Sequence, residues 1–241
     1  MSAIRKTSRV SQGLAGLMMA SLLAYAVPLA AQQPKGARLI TAAAASAADA
    51  SADPILAAMR QELDRSKAQL KMDNVLPPYY IEYRLSDFEQ YDAEAAFGAL
   101  RQNQRTHARN IRVVVRVGDY KQDSYYGPGV GAVDLAPLEN DSIALRRQLW
   151  NATDGAYKRA SEALALKKAT LRQYASDQPF DDFAHTTPSQ SVEPLAKLDF
   201  EPKPWTEILE KSTALFRTDP KMEAFSALLR FRCLNEYFIN T

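Results

Sequence analysis

Cysteine is nearly missing from this chain: Cys233 is the one such residue in 241. An intramolecular disulfide is therefore excluded. Histidine is almost as scarce, with only His107 and His185. Neither belongs to a His-Glu-x-x-His pair or another spaced ligand set, and each reads as a solvated loop residue. There is no Gly-x-Ser-x-Gly nucleophile elbow. The run Gly127-Pro-Gly-Val-Gly131 lacks the Gly-Lys-Ser/Thr ending of a phosphate loop and reads as a turn. Internal repeats, heptads and a second long apolar run are also missing. No catalytic, cofactor-binding or metal-ligating residue is assigned on these grounds.

A charge excess of one sign is missing too, once the N-terminus is understood. Arg5, Lys6 and Arg9 precede an apolar run from Leu14 to Leu29, and the small residues Ala30 and Ala31 follow. This is the layout of a secretory signal peptide over residues 1–31. The apolar run, about 16 residues with Pro28 near its end, is short for a membrane span. The leader holds three basic residues and no acids, which leaves 27 basic against 28 acidic side chains, a formal charge of −1. Such a balance gives no basic field for nucleic acid. The expected location is periplasmic or extracellular, with no membrane attachment after cleavage.

Residues 32–52 are polar or alanine-rich and read as a flexible linker. The domain follows, over 53–241. Asp53-Pro54 is a helix start, Asp as cap and Pro at the first helical position. Ile55, Leu56, Met59, Leu63 and Leu70 keep helical spacing, and Asn74 with Pro77-Pro78 closes the segment. Period two then takes over: Tyr79, Ile81, Tyr83 and Leu85 alternate with Tyr80, Glu82 and Arg84. A second strand is expected over Tyr91–Leu100, a polar turn over 101–110, a third strand over Ile111–Val117 and a fourth over Tyr120–Tyr126. Asp87, Glu89 and Asp92 are placed around a hairpin tip. Gly127–Pro137 reads as a loop.

A long helix is expected from Asp141 to Tyr174, capped by Asp141 or Asn140. Its stripe of Leu145, Leu149, Ala152, Ala156, Ala160 and Ala163 suits close docking on a sheet, with Trp150, Tyr157, Leu164 and Leu171 widening it. Its cationic end (Lys167, Lys168, Arg172) suits the helix dipole. Ser176–Pro204 reads as an extended surface connection, including the hydrated acidic loop of Asp177, Asp181 and Asp182 near His185. Pro204 opens a short helix bearing Trp205, Ile208, Leu209, Leu215 and Phe216. A strand over Lys221–Leu234, a turn at Asn235-Glu236 and a last strand from Tyr237 complete the chain. Cys233 shares a strand face with Ala227, Leu229 and Phe231 and reads as a buried, inert thiol. The class is α+β: an antiparallel meander sheet with a long helix and one or two shorter helices packed on it.

Tyrosine is the enriched residue, with Tyr79, Tyr80, Tyr83, Tyr91, Tyr120, Tyr125 and Tyr126 all in the strand block. Such rings suit a protein interface or a twisted sheet edge equally. Arg112 and Arg116 share one strand face, as do Arg230 and Arg232. Four cations there could take a peptide carboxylate, although cross-strand pairing with Glu82 or Glu94 is the simpler use. The candidate interaction surface is thus Tyr79, Tyr83, Arg112, Arg116, Tyr125 and Tyr126.

The ordered blocks PPYYIEYRLSDFEQYDAEAAFGAL, IRVVVRVGDYKQD, RRQLWNATDGAYKRASEALALKKATL, SVEPLAKL and NEYFINT span Asp53 to Thr241. This series resembles the N-terminal domain of exported TldD/PmbA-like metallopeptidases. In that family a His-Glu-x-x-x-His helix downstream carries the metal, and the chain runs on through a Ser-x-Gly segment. No His-Glu pair occurs here and the sequence stops at Phe238-Ile239-Asn240-Thr241, before that segment, so no ligand is carried over and the sequence reads as a truncated or split member. The resemblance implies a non-catalytic module without a cofactor, its partner a catalytic half or homologous subunit, and a peptide enclosed between them. The alternative is a free-standing periplasmic binding domain using the tyrosine-rich sheet.

The leader reading has a direct test. Export of the full chain from a bacterial host is expected to yield a new N-terminus at Gln32, with Ala26 and Ala30 as the alternative cleavage points. Terminal sequencing that finds Met1 retained in the exported protein would reject it.

Overall fold

The computed structural model describes residues 4–13, 52–125, 131–174 and 180–241. In chain order its elements are β1 (Ile4–Gly13), α1 (Pro54–Gln69), β2 (Pro78–Ala96), β3 (Ala99–Val117), β4 (Ala132–Leu135), α2 (Ser142–Tyr174), β5 (Gln190–Val192), α3 (Pro202–Ala214) and β6 (Ser226–Asn240). The strands form one sheet in the order β4-β3-β2-β6-β1-β5. Neighbours are antiparallel except β1 and β5. The α+β class and the helices packed on an antiparallel sheet are as the sequence predicts.

The strand block differs in its punctuation. β2 and β3 are one long hairpin in which Ala96 pairs with Ala99. Its turn is Phe97-Gly98, with φ of 49° and 84°. Two positive φ values make the tight turn that matches the twist of long strands. A Cβ at residue 98 would also lie 2.9 Å from the Ala214 Cβ. The polar stretch 101–110 is therefore strand, not turn. Its backbone bonds come from β2, while β4 covers the outer side only at Asn110–Val113. Polar side chains at an edge strand resemble a turn in composition, which is why the pattern misleads. Asp87, Glu89 and Asp92 consequently sit mid-strand, opposite Arg109, His107 and Gln104.

Three further boundaries move. Tyr120–Tyr125 is no fourth strand; Gly118 bridges only to Asp123, and the Ser124 N–H returns to the Val117 carbonyl at 2.9 Å. Part of the expected loop 127–137 is β4. β6 runs unbroken through Asn235-Glu236, because Asn235 spends its amide on Ala196: Nδ2 donates to the Ala196 carbonyl at 3.0 Å and Oδ1 accepts its N–H at 2.9 Å. At the N-terminus, residues 4–13 lie antiparallel to Arg230–Ile239 as β1. Residues 4–13 of the segment read as a leader are thus in the sheet, contrary to the expectation that it lies outside the fold. The rest of the segment read as a leader, and that read as a linker through residue 51, lie outside the described residues.

Every strand residue in the two apolar cores has an odd number. Ile81, Tyr83, Leu85, Ile111, Val113, Val115, Val117, Tyr237 and Ile239 pack with α1 and α2. Tyr91, Ala93, Ala95, Leu229 and Cys233 pack with Leu209 of α3 and Leu198. The helices therefore share one sheet face, and the even-numbered face carries no helix among the described residues. Ala152, Ala156 and Ala160 are buried, as the small-residue stripe requires, whereas Trp150 is exposed instead of widening it. Ile208 and Leu215 of the α3 region are exposed as well.

Local signals set the helix starts. Asp53 accepts the N–H of Ile55 at 3.0 Å and of Leu56 at 3.1 Å. Asp141 likewise accepts the N–H of Ile143 at 2.8 Å. Each satisfies a donor that the first helical turn leaves open. Tertiary contacts then lock the helices down. The Tyr83 hydroxyl donates to Ser66 Oγ of α1 at 3.1 Å and lies 3.0 Å from Thr153 Oγ1 of α2.

Because Tyr83 is fully buried, removing its hydroxyl leaves Ser66 and Thr153 short of a partner in a dry core. Tyr83→Phe is expected to cost about 1–3 kcal/mol. Urea unfolding followed by far-UV dichroism would show a lower midpoint with an unchanged native spectrum; an unchanged midpoint would show the bond to be dispensable.

Candidate functional site

Chemistry concentrates at one end of the sheet, where β2 starts and β3 ends. Arg116 lies on the even face of β3, and its Nη1 meets Asp123 Oδ2 at 2.5 Å. The Tyr79 hydroxyl donates to the same oxygen at 2.9 Å. Asp123 is fully buried, and its Oδ1 accepts the Tyr125 N–H at 2.7 Å. Its own N–H donates to Asp182 Oδ2 at 2.8 Å. That carboxylate also takes the ammonium of Lys167 from α2. Two ion pairs in series therefore tie α2, the 180–185 segment and β3 together.

Aromatic rings enclose the cation. The Arg116 guanidinium lies 4.1 Å from the Phe183 ring centre and 5.3 Å from that of Tyr125. Phe183 stacks on Tyr120 at 5.7 Å and meets Tyr80 edge-on at 5.1 Å. His185 also stacks on Tyr120, with centroids 3.6 Å apart. A guanidinium among ring faces is held by quadrupole attraction as well as by its carboxylate.

The phenols here are poor proton donors to solvent near neutrality. Burial raises the Tyr79 hydroxyl well above the usual phenol range, and its bond to the Asp123 carboxylate adds to this. Tyr80 is pushed up to about 12, chiefly by burial; the bond from Asn240 opposes the rise and the Glu82 charge adds to it. Neutral hydroxyls beside a compensated arginine suit recognition and holding, not proton transfer.

The candidate residues divide. Tyr79, Arg116 and Tyr125 come together at this end, with Tyr125 about half exposed at 49%. Tyr83 does not: it is core, facing the helices, because strand alternation puts odd positions inward. Arg112 is exposed on the even face, four residues and roughly 13 Å along β3 from Arg116, and stands opposite Arg84. Tyr126 lies outside the described residues. Asp123, Lys167 and Phe183 are not among the candidates the sequence offers, and Asp182, read there as part of a hydrated acidic loop, is instead nearly buried in an ion pair. Only Asp123 has a signal there, the Gly118-Asp119 turn that folds it back; Lys167 reads in sequence as an exposed dipole cation and is buried instead.

Three other arginines of the even face have partners too. Arg230 Nε meets Asp92 Oδ1 at 2.6 Å, and Arg84 reaches Glu82 at 3.4 Å. Arg232 lies over the Phe88 ring at 5.3 Å. Of the four cations, Arg230 pairs across strands with Asp92, whereas Arg116 pairs with Asp123 of the turn that follows its own strand, and neither pairs with Glu82 or Glu94. His107 contacts Asp87 at 2.7 Å. Cys233 is buried, as expected, and burial pushes its thiol up, with the Glu89 and Asp87 charges adding. Among the described residues no three His, Cys, Asp or Glu side chains converge as a metal cluster. No described helix is long and apolar enough to cross a membrane. In comparisons with family models, curated proteins and solved structures, nothing matches this chain.

Lys167 and Asp182 are each about nine-tenths buried, so deleting one strands the other's charge. Lys167→Met is expected to cost about 3–5 kcal/mol. Urea unfolding would measure it, and hydrogen exchange should rise selectively over residues 180–185. Unchanged exchange there would show that the ion pair does not hold the segment.

Proposed function

We propose that this chain is a non-catalytic module that packs against a second polypeptide through the even face of its sheet. The observation that carries this is the one-sided packing: three helices on the odd face and, among the described residues, none opposite. The even face bears Phe88, Val114, Leu234 and Phe238 between Arg84, Arg112 and Arg232, an apolar centre with a charged surround. Fifteen-residue pairing of β2 with β6 makes it roughly 50 Å by 14 Å, near the ~800 Å² per partner of a standard interface. A mixture of rings and guanidinium groups is typical of interface centres.

The partner in this reading is the catalytic half of an exported TldD/PmbA-like metallopeptidase, or a homologous subunit, with a peptide enclosed between the two. Support comes from the ordered sequence blocks from Asp53 to Thr241 and from the exported character of the N-terminus. The half-exposed Tyr125 beside Arg116 favours a second reading, a free-standing periplasmic module that takes a peptide end at this corner.

The two readings separate by mixing. With a separately expressed TldD/PmbA-like catalytic half, the exported chain is expected to form a complex stable to gel filtration. Phe88→Glu should weaken it by at least roughly tenfold, while Tyr125→Ala leaves it intact. Failure of the wild-type chain to associate would overturn the first reading; binding lost with Tyr125→Ala alone would favour the second.

A further inference from the structure

The outer edge of β6 is a strand acceptor. In the unprocessed chain it is filled by β1, whose Ile4–Gly13 runs antiparallel to Arg230–Ile239. All of β1 lies within residues 1–31, and an open edge on β6 therefore depends on removal of that segment as a leader. Cleavage strips the partner from a long edge. The Thr241 N–H donates to the Ile81 carbonyl at 3.0 Å, so odd-numbered residues of β6 turn their peptide groups to β2 and even-numbered ones turn theirs outward. A row of outward N–H and C=O groups without a strand beside it invites another chain.

We propose that in the processed protein β6 pairs antiparallel with β6 of a second copy, about a two-fold axis at Cys233, joining two sheets into one. Two copies keep their helices on the same side only if the axis passes through a residue, since alternation has a period of two. An axis at Cys233 pairs the whole of Ser226–Asn240, Ser226 facing Asn240 of the second copy. It sets Arg230 against Glu236 of the second copy, twice by symmetry, on the even face. Leu228, 37% exposed, meets Phe238 on that face, and Leu229 meets Tyr237 on the other. The ten-residue seat that β1 takes shows that the edge accepts an antiparallel strand along most of this length. Parity also makes Cys233 a position without cross-strand bonds on this side, where opposed Cα atoms lie about 4.5 Å apart, within disulfide range.

The full chain expressed with its leader in an exporting host provides the test. Processed protein, its terminus sequenced, is expected to scatter light as a dimer; unprocessed protein from the cytosol, with β1 in place, as a monomer. Arg230→Glu should weaken the dimer by at least roughly tenfold, and adding Glu236→Arg should restore it. Diamide should link processed chains through Cys233 and leave unprocessed chains unlinked. Retention of residues 1–31, a processed chain that stays monomeric with its own chain on the edge, or a dimer indifferent to both the charge swap and diamide would overturn the proposal. The catalytic-half experiment fails separately: a monomer that still binds that half rejects only the homodimer, and a dimer that does not bind it rejects only the other reading.

Discussion

One buried hydroxyl, that of Tyr83, joins the three elements on which the rest of the structure depends. It reaches Ser66 of α1 and lies beside Thr153 of α2 from the middle of β2. A second tyrosine does similar work from β6, where the Tyr237 hydroxyl lies 3.3 Å from Asp53, the cap of α1. Phenols suit this position because each carries a large apolar ring and one polar end that must find a partner when buried. Burial raises the hydroxyl of Tyr237 well above the ordinary phenol range, and the Asp53 charge adds to this, so the group stays a donor. Helix start, sheet register and helix docking are thereby set by the same few atoms.

Docking both long helices on one side leaves the sheet two-faced. Odd positions hold the cores, and even positions hold arginines, carboxylates and scattered rings. Several of those charges are matched on the face itself, as Arg230 is by Asp92 and Arg84 by Glu82. Matched pairs of this kind add little stability at a surface but keep the face orderly and polar at its margins. A face so built can meet another polypeptide without stranding a charge.

The end of the sheet behaves differently because it is closed. Asp123 is fully buried, and Lys167 and Asp182 nearly so. Each carboxylate there serves a cation and a backbone N–H together, which offsets the cost of drying the charge. The segment around Phe183 is held by that pairing and by rings, not by regular backbone ladders.

What the sequence alone determined is local or periodic. Asp53 and Asp141 announce their helices because a capping carboxylate acts within three residues. Alternation over Tyr79–Leu85 and Ile111–Val117 announces strands, and the neighbours of Cys233 announce its burial. Tertiary structure alone decided the rest. The polar 101–110 stretch is strand because β2 lies beside it, and Asn235 continues β6 because Ala196, 39 residues away, takes its amide. Asp182 is buried because folding brings it to the Lys167 ammonium of α2 and to the Asp123 N–H, 59 residues away. Composition reports how a residue meets water. Which backbone or charge will replace that water is set by segments far along the chain.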